Sequence, residues 1–303
     1  MTTYTAADRY RTGVYRWLDA TSGIVVMLLA VQLLTGVLLA FYYVPSTDHA
    51  YATVEYVEKT VSSGAWIRSL HHYGSLWLTL FLFLHVVRLF LTKAYIDHNK
   101  QWIASVVLLG LVMAGGGTGY SLPWDARAFF STRIAENLVG GLPLVGRMGR
   151  LWLLGGNEIS TITLSRFFAV HAWVVPGLIV GVVVWRRFTF VNQKRNAIAA
   201  AVVFIALALW SLKVHAPLGP PTTQMNADLL RPGAQFLWLY QLLKYVPGGL
   251  ASIVALVLPG LALLALVLLR WLRASRLIGG VILGGGTLLI TVMTAAAYSG
   301  LKP

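Results

Sequence analysis

Residues 70–91 read LHHYGSLWLTLFLFLHVVRLFL, an unbroken apolar segment with histidines at 71 and 85. At about 100° per residue, fourteen residues return His85 to nearly the face of His71. At about 1.5 Å per residue the two stand roughly 21 Å apart. That separation places one imidazole near each side of a hydrocarbon core about 30 Å thick. Imidazole is a common axial ligand of haem iron. A third histidine, His171, lies near the start of another apolar segment, but that segment has no second histidine to oppose His85.

Composition agrees with a membrane location. Of 303 residues, 57% are hydrophobic and 11% charged, and the mean hydropathy is +0.72. The apolar runs do not alternate polar and apolar residues, which argues against a β-barrel. The expected fold is an all-α integral membrane protein. There is no cysteine, so thiolate-bound iron–sulfur clusters and thioether-attached haem are excluded on this chain's own side chains. The first twenty residues are polar and show no cleavable signal. A net charge of +14 comes from basic residues at helix ends, without the aromatic-interleaved groove of a nucleic-acid site.

Seven spans are predicted: Ser22–Tyr43, Leu70–Leu91, Trp102–Tyr120, Arg166–Trp185, Ala197–Leu212, Leu250–Leu269 and Ile278–Ala297. The N-terminus and the connections after spans two, four and six are basic, which assigns them to the cytoplasmic side and the C-terminus to the opposite side. Arg127, Arg133, Arg147 and Arg150 lie in an opposite loop, whose length weakens their vote. Two long outer loops, Ser121–Ser165 and Lys213–Gly249, are of a length that covers a quinone pocket or docks a partner. Gly115–Gly117 and Gly284–Gly286 sit inside apolar segments and are not phosphate loops. Gly23 and Gly36 in span one, with Gly119 in span three, permit close approach of a neighbouring helix or a flat macrocycle.

Several stretches are more specific than a generic apolar helix. They are SGIVVMLLAVQLLTGVLLAFYY (22–43), IRSLHHYGS (67–75), LHVVRLFLT (84–92), TGYSLPWD (118–125) and TLSRFFAVHAWVVP (163–176). Together they make most of residues 10–190 resemble the cytochrome b family of quinol–cytochrome c and plastoquinol–plastocyanin oxidoreductases, especially the b6 type. Residues 1–195 are thus expected to form a b6-like four-helix haem-binding bundle. Residues 196–303 resemble, more thinly, the smaller fourth subunit of b6-type complexes and add about three further membrane helices.

The resemblance implies haem b held between helices two and four. His71 and His171 match the outer ligand pair, and His85 matches one inner ligand. His72 projects about 100° from His71 and is expected to be a packed residue. The remaining inner position falls on Trp185 or Arg186, and a guanidinium has no good lone pair for iron. His98 lies in an inner loop, and His49 and His215 lie on the outer side. An absent inner haem, a five-coordinate haem on His85 and a ligand from a partner all remain open. Arg68 and Arg166 match positions near the outer haem's propionates, and Arg88 and Arg186 lie on the inner side; an arginine fork suits a carboxylate.

In the resembled family a Pro-Glu-Trp-Tyr motif serves outer-side quinol oxidation. Here the corresponding residues are Pro232, Gly233, Ala234 and Gln235, followed by Phe236. The carboxylate is lost, and the Gln235 amide is no base near neutral pH. Asp228 is a substitute proton carrier to weigh against a simple solvated aspartate. The expectation is a haem b subunit of a respiratory or related complex in an energy-transducing inner membrane, without standard quinol bifurcation. It would pass electrons between a quinone pool and an iron–sulfur or c-type cytochrome protein on another chain. Membrane lipid, a multisubunit assembly and no nucleic acid complete the expected partners. The alternatives are a complete bc-type subunit with rebuilt sites and a non-catalytic, haem-stabilised anchor. Transport is disfavoured, since few polar groups converge inside the spans.

Overall fold

The computed structural model describes residues 20–186, 194–223 and 233–300. Seven helices among them are long and apolar enough to cross a membrane: α1 (Thr21–Ala40), α3 (Gly64–Leu91), α4 (Asn99–Tyr120), α7 (Thr161–Arg186), α8 (Lys194–Lys213), α10 (Gly248–Val267) and α11 (Ser275–Tyr298). They match the seven predicted spans, with α3 starting earlier and α8 longer than expected. Shorter helices α2 (Ala50–Lys59), α5 (Ala126–Gly140), α6 (Gly146–Leu154) and α9 (Leu237–Leu243) occupy the connections. No strand occurs among the described residues beyond one isolated bridge between Asp125 and Pro221.

Residue contacts divide the chain into two compact units. The first comprises Met1–Tyr42, Val57–Ala114 and Val174–Ala216. Here α1 packs along α3, and α8 packs on both. The buried residues of α3 include Leu70, Gly74, Leu78, Leu82, His85, Val86 and Leu89, a stripe stepping by three and four as helical periodicity requires. Thr21, Ile24, Val25, Leu28 and Leu29 are the buried residues of the first half of α1. Near the end of α3, Phe90, Tyr95 and Trp102 stack their rings at 5.8–6.4 Å.

The second unit comprises Tyr43–Tyr56, Gly115–Trp173 and Pro217–Pro303. Ala50, Trp124 and Leu164 form its buried cluster, with Tyr43, Leu122, Phe129 and Ile159 against it. Asp125 caps α5 by accepting from Ala128 N (2.8 Å), and its other carboxylate oxygen accepts from Gly219 N (2.6 Å). One aspartate thereby fastens a proline-rich loop to a helix start. Glu136, 3% exposed, accepts from Arg150 Nε (2.9 Å) and Nη2 (2.7 Å) and from Arg133 (3.2 Å), tying α5 to α6. Burial alone would raise its carboxyl; the two arginines outweigh burial and hold it below the ordinary value.

Within α7, Val170–Val174 form a π-turn around His171. Pro176 follows and has no N–H to offer the Ala172 carbonyl, so the regular ladder fails at that point.

Candidate functional site

Two histidines sit in matching local settings, one in each unit. In the first unit Thr35 donates its single hydroxyl proton to Val31 O (2.6 Å). Its oxygen lies 2.9 Å from His71 Nδ1 and must therefore accept there. His71 is thus held with its proton on Nδ1 and its lone pair on Nε2. In the second unit His171 Nδ1 lies 3.0 Å from the Gly115 carbonyl, which can only accept. The same tautomer follows. A protein acceptor on the second ring nitrogen is the usual arrangement around a metal-binding histidine.

A glycine adjoins each ring. A Cβ on Gly36 would lie 3.1 Å from His71 Cε1, and a Cβ on Gly119 would lie 2.5 Å from His171 Cε1. The latter is closer than real side chains come, so Gly119 is required by the position of the ring. Each glycine follows a threonine: Thr35 before Gly36, and Thr118, which lies 3.4 Å from His171 Nδ1, before Gly119. Sequence reasoning singled out the glycines and missed the threonines. The recurring Thr-Gly dipeptide in spans one and three was the available signal.

His85 is fully buried, with Nδ1 3.0 Å from Thr21 Oγ1 and no hydrogen-bond partner at Nε2. The charges of Arg88 and Arg186 act on it. Gly23 faces a neighbouring helix: a Cβ there would meet the backbone oxygen of Asn196 on α8 at 3.0 Å. Small-residue helix packing accounts for that glycine.

The arginines are anchored by the protein. Arg68, buried at 8% exposure, donates from Nη1 to Glu58 (2.7 Å) and to the Ala216 carbonyl (2.9 Å). His215 Nδ1 is 3.2 Å from the other Glu58 oxygen. Arg166 donates to the Trp152 carbonyl. The Ala216 carbonyl was not legible as a partner, since 148 residues separate it from Arg68.

In the second unit Gly233 N donates to Tyr120 Oη (2.7 Å), and Phe236 meets the Tyr120 ring at 5.5 Å. A Cβ on Gly233 would lie 2.8 Å from Tyr120 Cε2 and 3.0 Å from Gln235 Oε1. The space of a side chain at 233 is taken by Tyr120. Asp228 and Pro232 lie outside the described residues.

Comparison with known proteins follows the same segments. A family model described as cytochrome b/b6/petB matches residues 8–194. The cytochrome b subunit of menaquinol:cytochrome c reductase from Geobacillus thermodenitrificans is 35% identical over 161 residues, 52% of this chain and 72% of that protein. Cytochrome b6 of Mastigocladus laminosus is 35% identical over 158 residues, 52% of this chain and 74% of that protein. A solved chain of a hyperthermophilic respiratory Complex III shares the fold over 96% of this chain and 95% of its own, at a TM-score of 0.66 and 15% identity. The family match covers more than half of the chain and includes His71, His85 and His171, and on that ground the chain belongs to the cytochrome b family.

Proposed function

We propose that this chain is the haem b-bearing membrane subunit of an electron-transfer complex, in which His71 and His171 hold an outer-side haem. It passes electrons between a quinone pool and a redox protein on another chain. The observation that carries this reading is the tautomer of the two imidazoles: each commits Nδ1–H to a protein acceptor and keeps its lone pair on Nε2. Both rings are only partly buried, and both adjoin a glycine, as a flat macrocycle requires. The residues present therefore fit an outer haem b, which supplies reversible one-electron transfer when bound.

The protein's own contributions are ligation, orientation and charge. Thr35 and the Gly115 carbonyl fix the two imidazoles. Arg68 is pre-oriented by Glu58 and Ala216, and with Arg166 it is assigned to the anionic propionates. Tyr120, Phe236 and the Gly233 N–H supply an aromatic and polar lining suited to a quinone head on the outer side. With no carboxylate at 233, proton removal there lacks its usual acceptor, and standard quinol bifurcation is not expected.

The names of the relatives support a quinol on one side of the reaction and a c-type cytochrome on the other. Any iron–sulfur or c-type centre lies on another chain, since this one has no cysteine. Residues 1–195 carry the haem, and residues 196–303 add Gly233 and Phe236 to the quinone lining beside Tyr120. The basic connections support a cytoplasmic-side N-terminus in an energy-transducing membrane, with the C-terminus opposite. The test is reduction of the purified complex by a quinol analogue, followed at the haem b absorbance. Reduction that disappears in His71→Ala and His171→Ala supports the reading, and quinol-driven reduction unaffected by both removes it.

A further inference from the structure

We infer that the chain holds one haem, the outer one, and that its inner half is a closed, close-packed bundle around His85 that ends the electron path within the membrane. This rests on the outer-haem reading above. It goes beyond that reading by assigning the inner half a different role from the outer half.

The outer and inner levels are related by a translation along the helices. Fourteen residues inward from His71 is His85, and fourteen inward from Thr35 is Thr21. The structure pairs both sets: Thr35 with His71 at 2.9 Å and Thr21 with His85 at 3.0 Å. The inner level is therefore a true copy of the outer one on α1 and α3. The same step can be applied to every other element of the outer setting. Gly36, against the His71 ring, becomes Ser22. Gly119, against the His171 ring, becomes Ser105. Both positions that were bare now carry side chains. Ser105 is fully buried and donates back to the Gln101 carbonyl at 2.8 Å.

The opposing ligand changes too. The π-turn at Val170–Val174 absorbs one extra residue, so that fifteen residues rather than fourteen lead from His171 to the corresponding face. That residue is Arg186, whose charge acts on His85. A guanidinium stays protonated and offers iron no lone pair. Trp185, its neighbour, is 54% exposed.

Packing decides between a closed half and a haem with one missing ligand. His85 has no exposed surface, nor do Leu82, Val86 and Trp102. The His85 side chain has no accessible surface, whereas His71 and His171 both keep some. The unpartnered Nε2 of His85 does not outweigh this. Gln32 Nε2, Asn196 Oδ1 and Ser211 Oγ in the same unit are buried without partners as well. The inner residues therefore do not fit a haem, and the chain provides a single relay on the outer side.

The test is haem b per polypeptide in the purified intact complex, by alkaline pyridine spectra, in wild type, His71→Ala, His85→Ala and the triple variant Ser22→Gly/Ser105→Gly/Arg186→His. One haem in wild type, kept in His85→Ala and lost in His71→Ala, is the expected result. The triple variant is expected to rise from one haem to two. Two haems in wild type, or loss of a haem in His85→Ala, overturns the inference while leaving the outer site standing. A triple variant that stays at one haem overturns the assignment of closure to these three residues. No haem in wild type overturns the outer-haem reading itself.

Discussion

Thr35 Oγ1 accepts from His71 Nδ1 across 2.9 Å because its own proton is already committed to the Val31 carbonyl. A hydroxyl that bonds back along its helix is usually a local matter. Here it fixes which nitrogen of a histidine on the neighbouring helix carries the lone pair. Thr35→Val removes the acceptor at nearly constant volume. Losing a hydrogen bond that orients a metal-binding histidine costs about 10–100-fold in metal affinity. The expected outcome is partial haem occupancy and a shifted midpoint potential, read by redox titration. Thr118→Val should have a smaller effect, because His171 keeps the Gly115 carbonyl.

Gly119 and Gly116 lie one turn apart on α4 and should respond oppositely to the same change. A Cβ at 119 would come 2.5 Å from His171 Cε1, and a Cβ at 116 meets nothing within 4 Å. Gly119→Ala is expected to displace His171 and lose haem with helicity retained. Gly116→Ala should keep haem and gain up to about 1 kcal/mol of helix stability. Haem absorbance and far-ultraviolet circular dichroism on both variants check this pair.

Glu136 gives a pH prediction with a definite sign. Its folded pKa is held below the ordinary carboxyl value by Arg150 and Arg133 against the effect of burial. A depressed carboxyl contributes stability that is fully present above its unfolded pKa, about 4.3, and is lost as pH falls through the lower folded value. Glu136→Gln should cost about 1–3 kcal/mol at pH 7, less than the roughly 3–5 kcal/mol of a fully buried pair broken on one side, because Arg133 and Arg150 reach water. Its penalty should shrink toward pH 3. Thermal unfolding in detergent at both pH values measures it, and an equal penalty at both would count against the ion cluster.

Gly233→Ala tests the outer quinone lining. The added methyl would press on the Tyr120 ring at 2.8 Å, an overpacking that costs about 1–3 kcal/mol. Quinol-driven haem reduction is expected to slow while haem content stays constant. An unchanged rate would separate Tyr120 from the quinone site.

The membrane helices were legible in the sequence because each is an apolar run of bilayer length, and the candidate histidines stood out as a ligand type at helical spacing. The partners of those residues were not legible. Thr21 meets His85 across 64 residues, and Arg68 meets Ala216 across 148, and no periodicity reports such pairings. A glycine such as Gly23 announces that something comes close, but only the fold shows that Asn196 is a neighbour there. The π-turn at His171 was equally hidden, although Pro176 was its available mark.

The central proposal is that His71 and His171 would together hold one haem. Low-temperature electron paramagnetic resonance on the purified complex tests it most directly. The account predicts a low-spin bis-imidazole signal in wild type that is absent in both His71→Ala and His171→Ala. A bis-imidazole signal that survives in His171→Ala would contradict it.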